Sequence, residues 1–188
     1  MPTDKQREPV HTRQITCRAF RLENGWLEIE ATLSDEKGQE VAFRSRPPVL
    51  PGQYMHHMSL SMTIDSDYLI HDVTAQTLQA PWAMCGATDD AYRRLVGLHI
   101  GPGFSQRMRE ILGGVQGCTH VTELVSQIAN TYMQASWPDR MARQMSVDHD
   151  PRRWPDKTTL SFVNHCHAWR QDGETLVQEY PELLPPQQ

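Results

Sequence analysis

The chain has 188 residues, with 18 basic against 23 acidic side chains and a formal net charge of −5. That is one domain's worth of chain, and an acidic balance without a basic run gives a nucleic-acid backbone nothing to condense on. No stretch approaches the roughly 18 uninterrupted apolar residues of a membrane helix, and the start MPTDKQREPVHTR has no apolar signal core, so a soluble, cytoplasmic protein is expected.

Residues 1–12 are polar and are expected to form a flexible tail, followed by a single domain over 13–183 and a short C-terminal tail over 184–188. Two apolar-alternating runs flank Asn24-Gly25, a strong hairpin signal, and predict strands at about 13–22 and 26–34. Glu36-Lys-Gly-Gln-Glu reads as a polar turn, and the proline-rich segment 46–52 is unsuited to a sheet interior. A second hairpin is expected around Asp65-Ser-Asp67, with strands at about 55–64 and 69–77, because Met58, Leu60, Met62 and Ile64 alternate with small polar residues.

Beyond Trp82 the period changes. Thr88-Asp-Asp90 predicts the cap of a short helix at about 89–98, and FSQRMREIL between glycine breaks predicts another. Val121, Leu124, Val125, Ile128, Tyr132 and Ala135 recur at helical spacing, a third helix that Trp137-Pro138 should stop. Residues 138–157 carry no period and read as a long loop or short irregular helices. A third hairpin is expected around Asp172-Gly173, and Cys17-Arg-Ala-Phe-Arg and Cys166-His-Ala-Trp-Arg read as two strands of similar geometry. The fold class expected is α+β, an antiparallel sheet of hairpins with helices packed on one face.

Cys17, Cys85, Cys118 and Cys166 include no CxxC pair and do not form a disulfide framework pattern. Gly117-Cys118-Thr119-His120 is the most informative segment, because it lies where a glycine-rich loop turns into a helix. Unpaired N–H groups and the helix dipole favour a thiolate there, and His120 can supply a nitrogen. The plain structural alternative is a small buried cysteine and a first-turn histidine. His56 shares its strand face with Met58, Leu60 and Met62, so it is the ligand candidate and its neighbour His57 the solvated one. Cys85-Gly86 follows the second hairpin and completes a candidate ligand set of His56, Cys85, Cys118 and His120. His165-Cys166-His167 is rich in ligand types, but such a pair of histidines is more often an exposed strand face.

Arg13…Cys17-Arg, Asn24-Gly25, His56-His-Met58, Pro81…Cys85, Leu95-Val-Gly97, Gly113-Gly114…Gly117-Cys-Thr-His120 and Asn164-His-Cys166-His together resemble a bacterial domain family of unknown function. The resemblance spans about residues 10–183, has the Gly-Cys-Thr-His block as its hallmark, and implies no established activity. The middle of the chain, MSLSMTIDSDYLIHDVTAQTLQAPWAMCGATDDAYRRLVG, is similar to the core of the U-type iron–sulfur cluster scaffold proteins. That likeness implies a related fold, and sets His56, Cys85 and Cys118 at the cluster-pocket positions. The scaffold histidine before the last cysteine is Gly117 here, and the first scaffold cysteine falls near Tyr54. Two thiolates and two imidazoles suit one zinc or iron better than a bridged cluster.

The resulting expectation is a metal-dependent enzyme, a lyase ahead of a hydrolase, acting on a small organic, aromatic or terpenoid metabolite. The cofactor expected is a divalent transition metal, zinc ahead of iron. His57, Tyr54 and Tyr132 are the candidate bases, while Arg13 or Arg46 could pair with an anionic or phenolic substrate group. The competing readings are a non-catalytic metal or iron–sulfur scaffold or accessory protein, and a metal-free enzyme with Cys118 as nucleophile and His120 as base. A small-molecule substrate is the expected partner, with a second copy of the chain left open and neither nucleic acid nor membrane expected.

Overall fold

Alternation of apolar and polar residues over four long stretches produces four strands in the computed structural model, which describes residues 7–147, 163–164 and 166–180. They are β1 (His11–Arg21), β2 (Leu27–Lys37), β3 (Tyr54–Ile64) and β4 (Ile70–Gln79), joined in sequence order into one antiparallel sheet. With the helices that follow, this is the expected α+β class. Leu27, Ile29, Ala31 and Leu33 of β2 and Met58, Leu60, Met62 and Ile64 of β3 are buried on one face. The opposite face carries Glu28, Glu30, Thr32, Ser59, Ser61 and Thr63, with Ser61 Oγ donating across the strands to Glu28 at 2.9 Å.

The first turn is a three-residue loop, Glu23-Asn24-Gly25. Gly25 N donates to Leu22 O and Leu22 N to Trp26 O, both at 2.9 Å, with Gly25 at φ +84° in the left-handed region that favours glycine. At the second turn, Asp65 Oδ1 accepts the N–H groups of Asp67 and Leu69 at 2.8 and 3.0 Å.

The inner sheet face is covered by α2 (Thr119–Ala135), whose Val121, Leu124, Val125, Ile128 and Tyr132 are buried against it. Before it comes α1 (Phe104–Leu112), which buries Phe104, Met108 and Leu112, one residue per turn. The helix expected at 89–98 is instead a 3-10 segment, Ala83–Leu95. Asp89 does not act as its cap there. Its carboxylate accepts the Thr77 N–H and hydroxyl, both at 2.8 Å, and so ties the segment to β4.

The contacts divide the chain into two compact units, Met1–Trp137 and Pro138–Gln188. Trp137-Pro138 ends α2 as expected but also opens α3 (Trp137–Val147), where an aperiodic loop was anticipated. Proline in a first turn loses no helical hydrogen bond, and Asp139 favours the positive helix end. The hairpin expected around Asp172-Gly173 is replaced by a 3-10 turn at His167–Trp169 and by α4 (Glu174–Glu179), with Gly173 as its N-cap. The echo of Cys17 at Cys166 is therefore not a second strand. Leu176 is buried among Val163, Trp169 and Tyr180, a one-sided spacing that suits a helical turn. The strand expected before Val163, the loop beyond Val147 and His165 lie outside the described residues. Among the described residues no helix is long and apolar enough to cross a membrane.

Candidate metal centre

The inward row of β2 runs Leu27, Ile29, Ala31, Leu33 and then Asp35, so the pleat that builds the core carries a carboxylate into the protein at 1% exposure. Antiparallel register sets Arg13 of β1 on one side of Asp35 and His56 of β3 on the other. Arg13 grips the carboxylate with both arms, Nε to Oδ1 and Nη2 to Oδ2, each at 2.8 Å. Its remaining arm, Nη1, donates to Glu123 Oε2 of α2 at 2.7 Å.

Three histidines surround the same carboxylate. His11 Nε2 lies 3.2 Å from Oδ1, while His56 Nδ1 and His120 Nε2 lie 3.1 and 3.5 Å from Oδ2. His120 stands in the first turn of α2, one turn before Glu123, so both side chains descend from one helix face onto the row below. The His56 and His120 rings stack at 3.9 Å between centroids.

Burial alone would raise the Asp35 pKa. The Arg13 hydrogen bonds and charge, with His56 and His11, outweigh it and hold the carboxyl at about 2. Burial lowers both His56 and His120, and His120 is lowered further by the His56 charge, whereas Asp35 acts in the opposite direction on both. Burial thus favours the neutral imidazoles beside an ionised carboxylate. One positive arginine faces two carboxylates, Asp35 and Glu123, which leaves the cluster receptive to a cation.

One ligand atom each from Asp35, His56 and His120 lies within 4.8 Å of the other two. Bonds of about 2.0–2.2 Å from nitrogen and oxygen to one tetrahedral ion set donors about 3.3–3.6 Å apart, and the two imidazole nitrogens stand 3.1 and 3.5 Å from Oδ2, close to that spacing. A carboxylate offers about four lone-pair sites. The Arg13 fork and His11 leave a site on Oδ2, on the side of the two imidazoles.

His56 and His120 also open onto a cleft of about 380 Å³, walled by Met58, Pro81, Trp82, Met84, Cys85 and Cys118 among others. Cys118 is the N-cap residue of α2, with its Sγ 3.7 Å from His120 Nδ1. Tyr92, whose pKa is raised by burial, fixes this corner. Its hydroxyl accepts the Cys118 N–H at 3.0 Å and donates to the Cys118 carbonyl at 2.8 Å, while the Thr122 hydroxyl lies 2.8 Å away. The four expected ligands therefore line one cleft, and the close cluster, which shares His56 and His120 with it, adds the buried Asp35 behind them.

The expected bases stand elsewhere. Tyr54 and His57 have rings 4.8 Å apart and line a separate cavity of about 480 Å³ with Arg46 and Gln79. His57 shares its side of the strand with Ser59 and Ser61, opposite His56. Tyr132 is buried, and its hydroxyl donates to Asp65 O at 2.6 Å. It lies about 18 Å along α2 from His120 at the helical rise of about 1.5 Å per residue. Arg13 is engaged by Asp35 and Glu123, and Arg46 donates to the carbonyls of Ala80 and Pro81. Neither arginine faces the cleft as a free partner for an anion.

Sequence reasoning missed Asp35, His11 and Glu123. For Asp35 the signal was present: the alternation runs on past residue 34 and puts an acid at an inward position.

Residues 11–134, more than half of the chain, match the family model described as Protein of unknown function (DUF2889). The chain belongs to this family. The DUF2889 segment begins at His11 and ends inside the last turn of α2, so it contains the sheet, α2 and every member of the cluster. No curated protein and no solved structure matches the chain, and the likeness to the U-type scaffolds finds no support.

Proposed function

We propose that the chain is a metal-dependent enzyme, a lyase, acting on a small organic substrate at a centre formed by Asp35, His56 and His120. The observation that carries this reading is the convergence of these three donors, two of which, His56 and His120, line an apolar cleft. A structural ion is normally enclosed by four protein ligands, whereas three ligands beside a cleft leave room for substrate. Two imidazoles and one carboxylate suit zinc, with iron next. Such an ion supplies Lewis-acid polarisation of a substrate oxygen.

The chain's own residues have distinct tasks. Asp35 is the charged donor, aimed by the Arg13 fork, and Glu123 keeps Arg13 from turning away. Met58, Pro81, Trp82 and Met84 offer apolar contact to a ring or chain, which supports an aromatic metabolite as substrate.

Elemental analysis of full-length protein, expressed without a histidine tag, tests the centre. Stoichiometric zinc or iron in the wild type, lost in both Asp35→Asn and His120→Ala, is expected. A metal content unaffected by either change refutes the centre. Tight metal binding with no turnover of any aromatic alcohol, aldehyde or hydroxy acid favours the non-catalytic accessory reading instead.

A further inference from the structure

Between β2 and β3 the segment 41–49 forms a strap. Val41 and Val49 exchange backbone hydrogen bonds at 2.9 and 3.0 Å and close its base, and Val49 is buried. Pro47-Pro48 stiffen one arm, since each ring fixes φ. We infer that this strap sets Trp82 as the wall that recognises the ring of a planar aromatic ligand carrying one oxygen function. The inference deepens the function proposed above and rests on it only for the destination of that oxygen.

The strap reaches Trp82 through two half-buried side chains. Arg46 Nη1 donates to the carbonyls of Ala80 and Pro81, the two residues before Trp82. The same guanidinium lies over the Phe43 ring, 4.9 Å from its centroid, and Phe43 meets Trp82 at right angles with centroids 5.4 Å apart. A planar, rigid guanidinium can hold carbonyls and an aromatic face together, which a lysine cannot do. On the far side, Cys85 N donates to Trp82 O at 3.0 Å. The backbone before Trp82, its carbonyl and its ring are therefore each held by a different partner.

This anchoring does not serve core packing. Trp82 belongs to neither hydrophobic cluster of the described residues and is 49% exposed, and it lines the same cleft as His56 and His120. A fixed indole with half its surface open offers a ring-binding face at little cost in side-chain ordering. The cleft measures about 380 Å³, in the lower part of the range for small-molecule sites, which favours a single ring. None of the residues lining it is an arginine, a lysine or a carboxylate, so a charged substituent turned away from the ion would lie uncompensated. The oxygen function thus belongs at the ion and the ring at Trp82.

The test uses zinc-loaded full-length protein and two probes, acetohydroxamate and benzohydroxamate, which share their zinc-binding oxygens and differ by the ring. Isothermal titration calorimetry gives the ratio of their affinities, and comparing that ratio between proteins cancels changes common to both probes, zinc occupancy included. Benzohydroxamate should bind the wild type about tenfold or more tighter. Trp82→Leu, a change at a half-exposed position, should bring the ratio down by about fivefold or more, whereas Trp82→Phe should keep most of it. Phe43 and Arg46 are positioning residues: Phe43→Leu and Arg46→Met should each lower the ratio by about threefold, and Phe43→Tyr should restore it.

Equal affinities for the two probes, or a ratio untouched by Trp82→Leu, overturn the inference and leave the metal centre intact. A ratio that survives both Phe43→Leu and Arg46→Met overturns the role of the strap. Loss of acetohydroxamate binding, with benzohydroxamate still held through Trp82, removes the centre proposed above and leaves the ring wall standing. Binding of neither probe refutes both.

Discussion

Replacing Asp35 by asparagine preserves the shape of the side chain and removes the charge on which Arg13, His11 and His56 converge. In the folded protein this carboxyl sits at about 2 against an ordinary value of 3.8. Such a depression corresponds to about 2 kcal/mol of preference for the ionised form. The Arg13 side chain is 36% exposed, so water screens part of that interaction, and Glu123 still holds the arginine when Asp35 is neutral. The expected loss on Asp35→Asn is therefore about 1–2 kcal/mol near neutral pH. The sign of the pH dependence follows from the depressed value: the unfolded chain takes up this proton first as pH falls. The stabilisation is complete above about pH 4 and disappears towards pH 2. Urea unfolding of both proteins, followed by tryptophan fluorescence with a chelator present, measures the gap. It should be full near neutrality and close between about pH 4 and pH 2 as the wild-type carboxylate becomes protonated. A gap of a few tenths of a kcal/mol, or one that persists unchanged at the acid end, refutes the argument.

Three further outcomes are expected. His56 and His120 are both lowered by burial, so their neutral forms are favoured by folding. Their contribution is complete above the ordinary histidine value of 6.5 and is lost as pH falls below it, a decline that His56→Gln with His120→Gln should flatten in urea titrations. Gly117→Ala puts a Cβ 2.7 Å from the Leu112 carbonyl and 3.2 Å from the Tyr92 hydroxyl, and should cost about 1–3 kcal/mol, read as a lowered midpoint of denaturation. Tyr92→Phe leaves the Cys118 N–H without its acceptor and should cost about 1–3 kcal/mol, with faster hydrogen exchange at the start of α2 than at its end.

The strands and α2 were legible because their periods are long and clean: alternation from Leu27 to Asp35 in β2 and from Met58 to Ile64 in β3, and a stripe over some four turns in α2. The 3-10 segment was not, because what shapes it is Asp89 reaching Thr77 on another strand, and local sequence gives no sign of that partner. Trp137-Pro138 was read as a stop, although proline is as compatible with a beginning as with an end. The same contrast runs through the site. Alternation separated His56 from His57, and the loop-to-helix transition drew attention to Cys118 and His120. Glu123 could not be found this way, since a glutamate in an exposed helical turn looks like any other until Arg13 is known to lie beneath it.

Asp35 makes the dependence on register explicit. A two-residue turn at Asn24-Gly25 would place Arg13 opposite Glu36 and would set Asp35, Leu33 and Ala31 of β2 against Gln14, Thr16 and Arg18. Ile15 and Cys17 would then lie on the solvent side. The three-residue loop, with Gly25 left-handed, instead pairs Ile15 with Leu33 and Cys17 with Ala31, and the same count pairs Arg13 with Asp35. Apolar matching in the middle of the hairpin thus selects the turn, and the turn delivers the ion pair at the open end. On the other flank an extra residue, Met55, lies between Tyr54 and His56 where β2 has none between Glu36 and Asp35. This bulge keeps His56 beside Asp35 and puts Tyr54 on the side where it meets His57. A slip of one residue in β1 would replace Arg13 by its neighbours and leave Asp35 buried without its counter-charge. The ionised carboxylate, the neutral imidazoles and the receptive ion position would all be lost with it, so the pattern that packs the core also determines the chemistry at its edge.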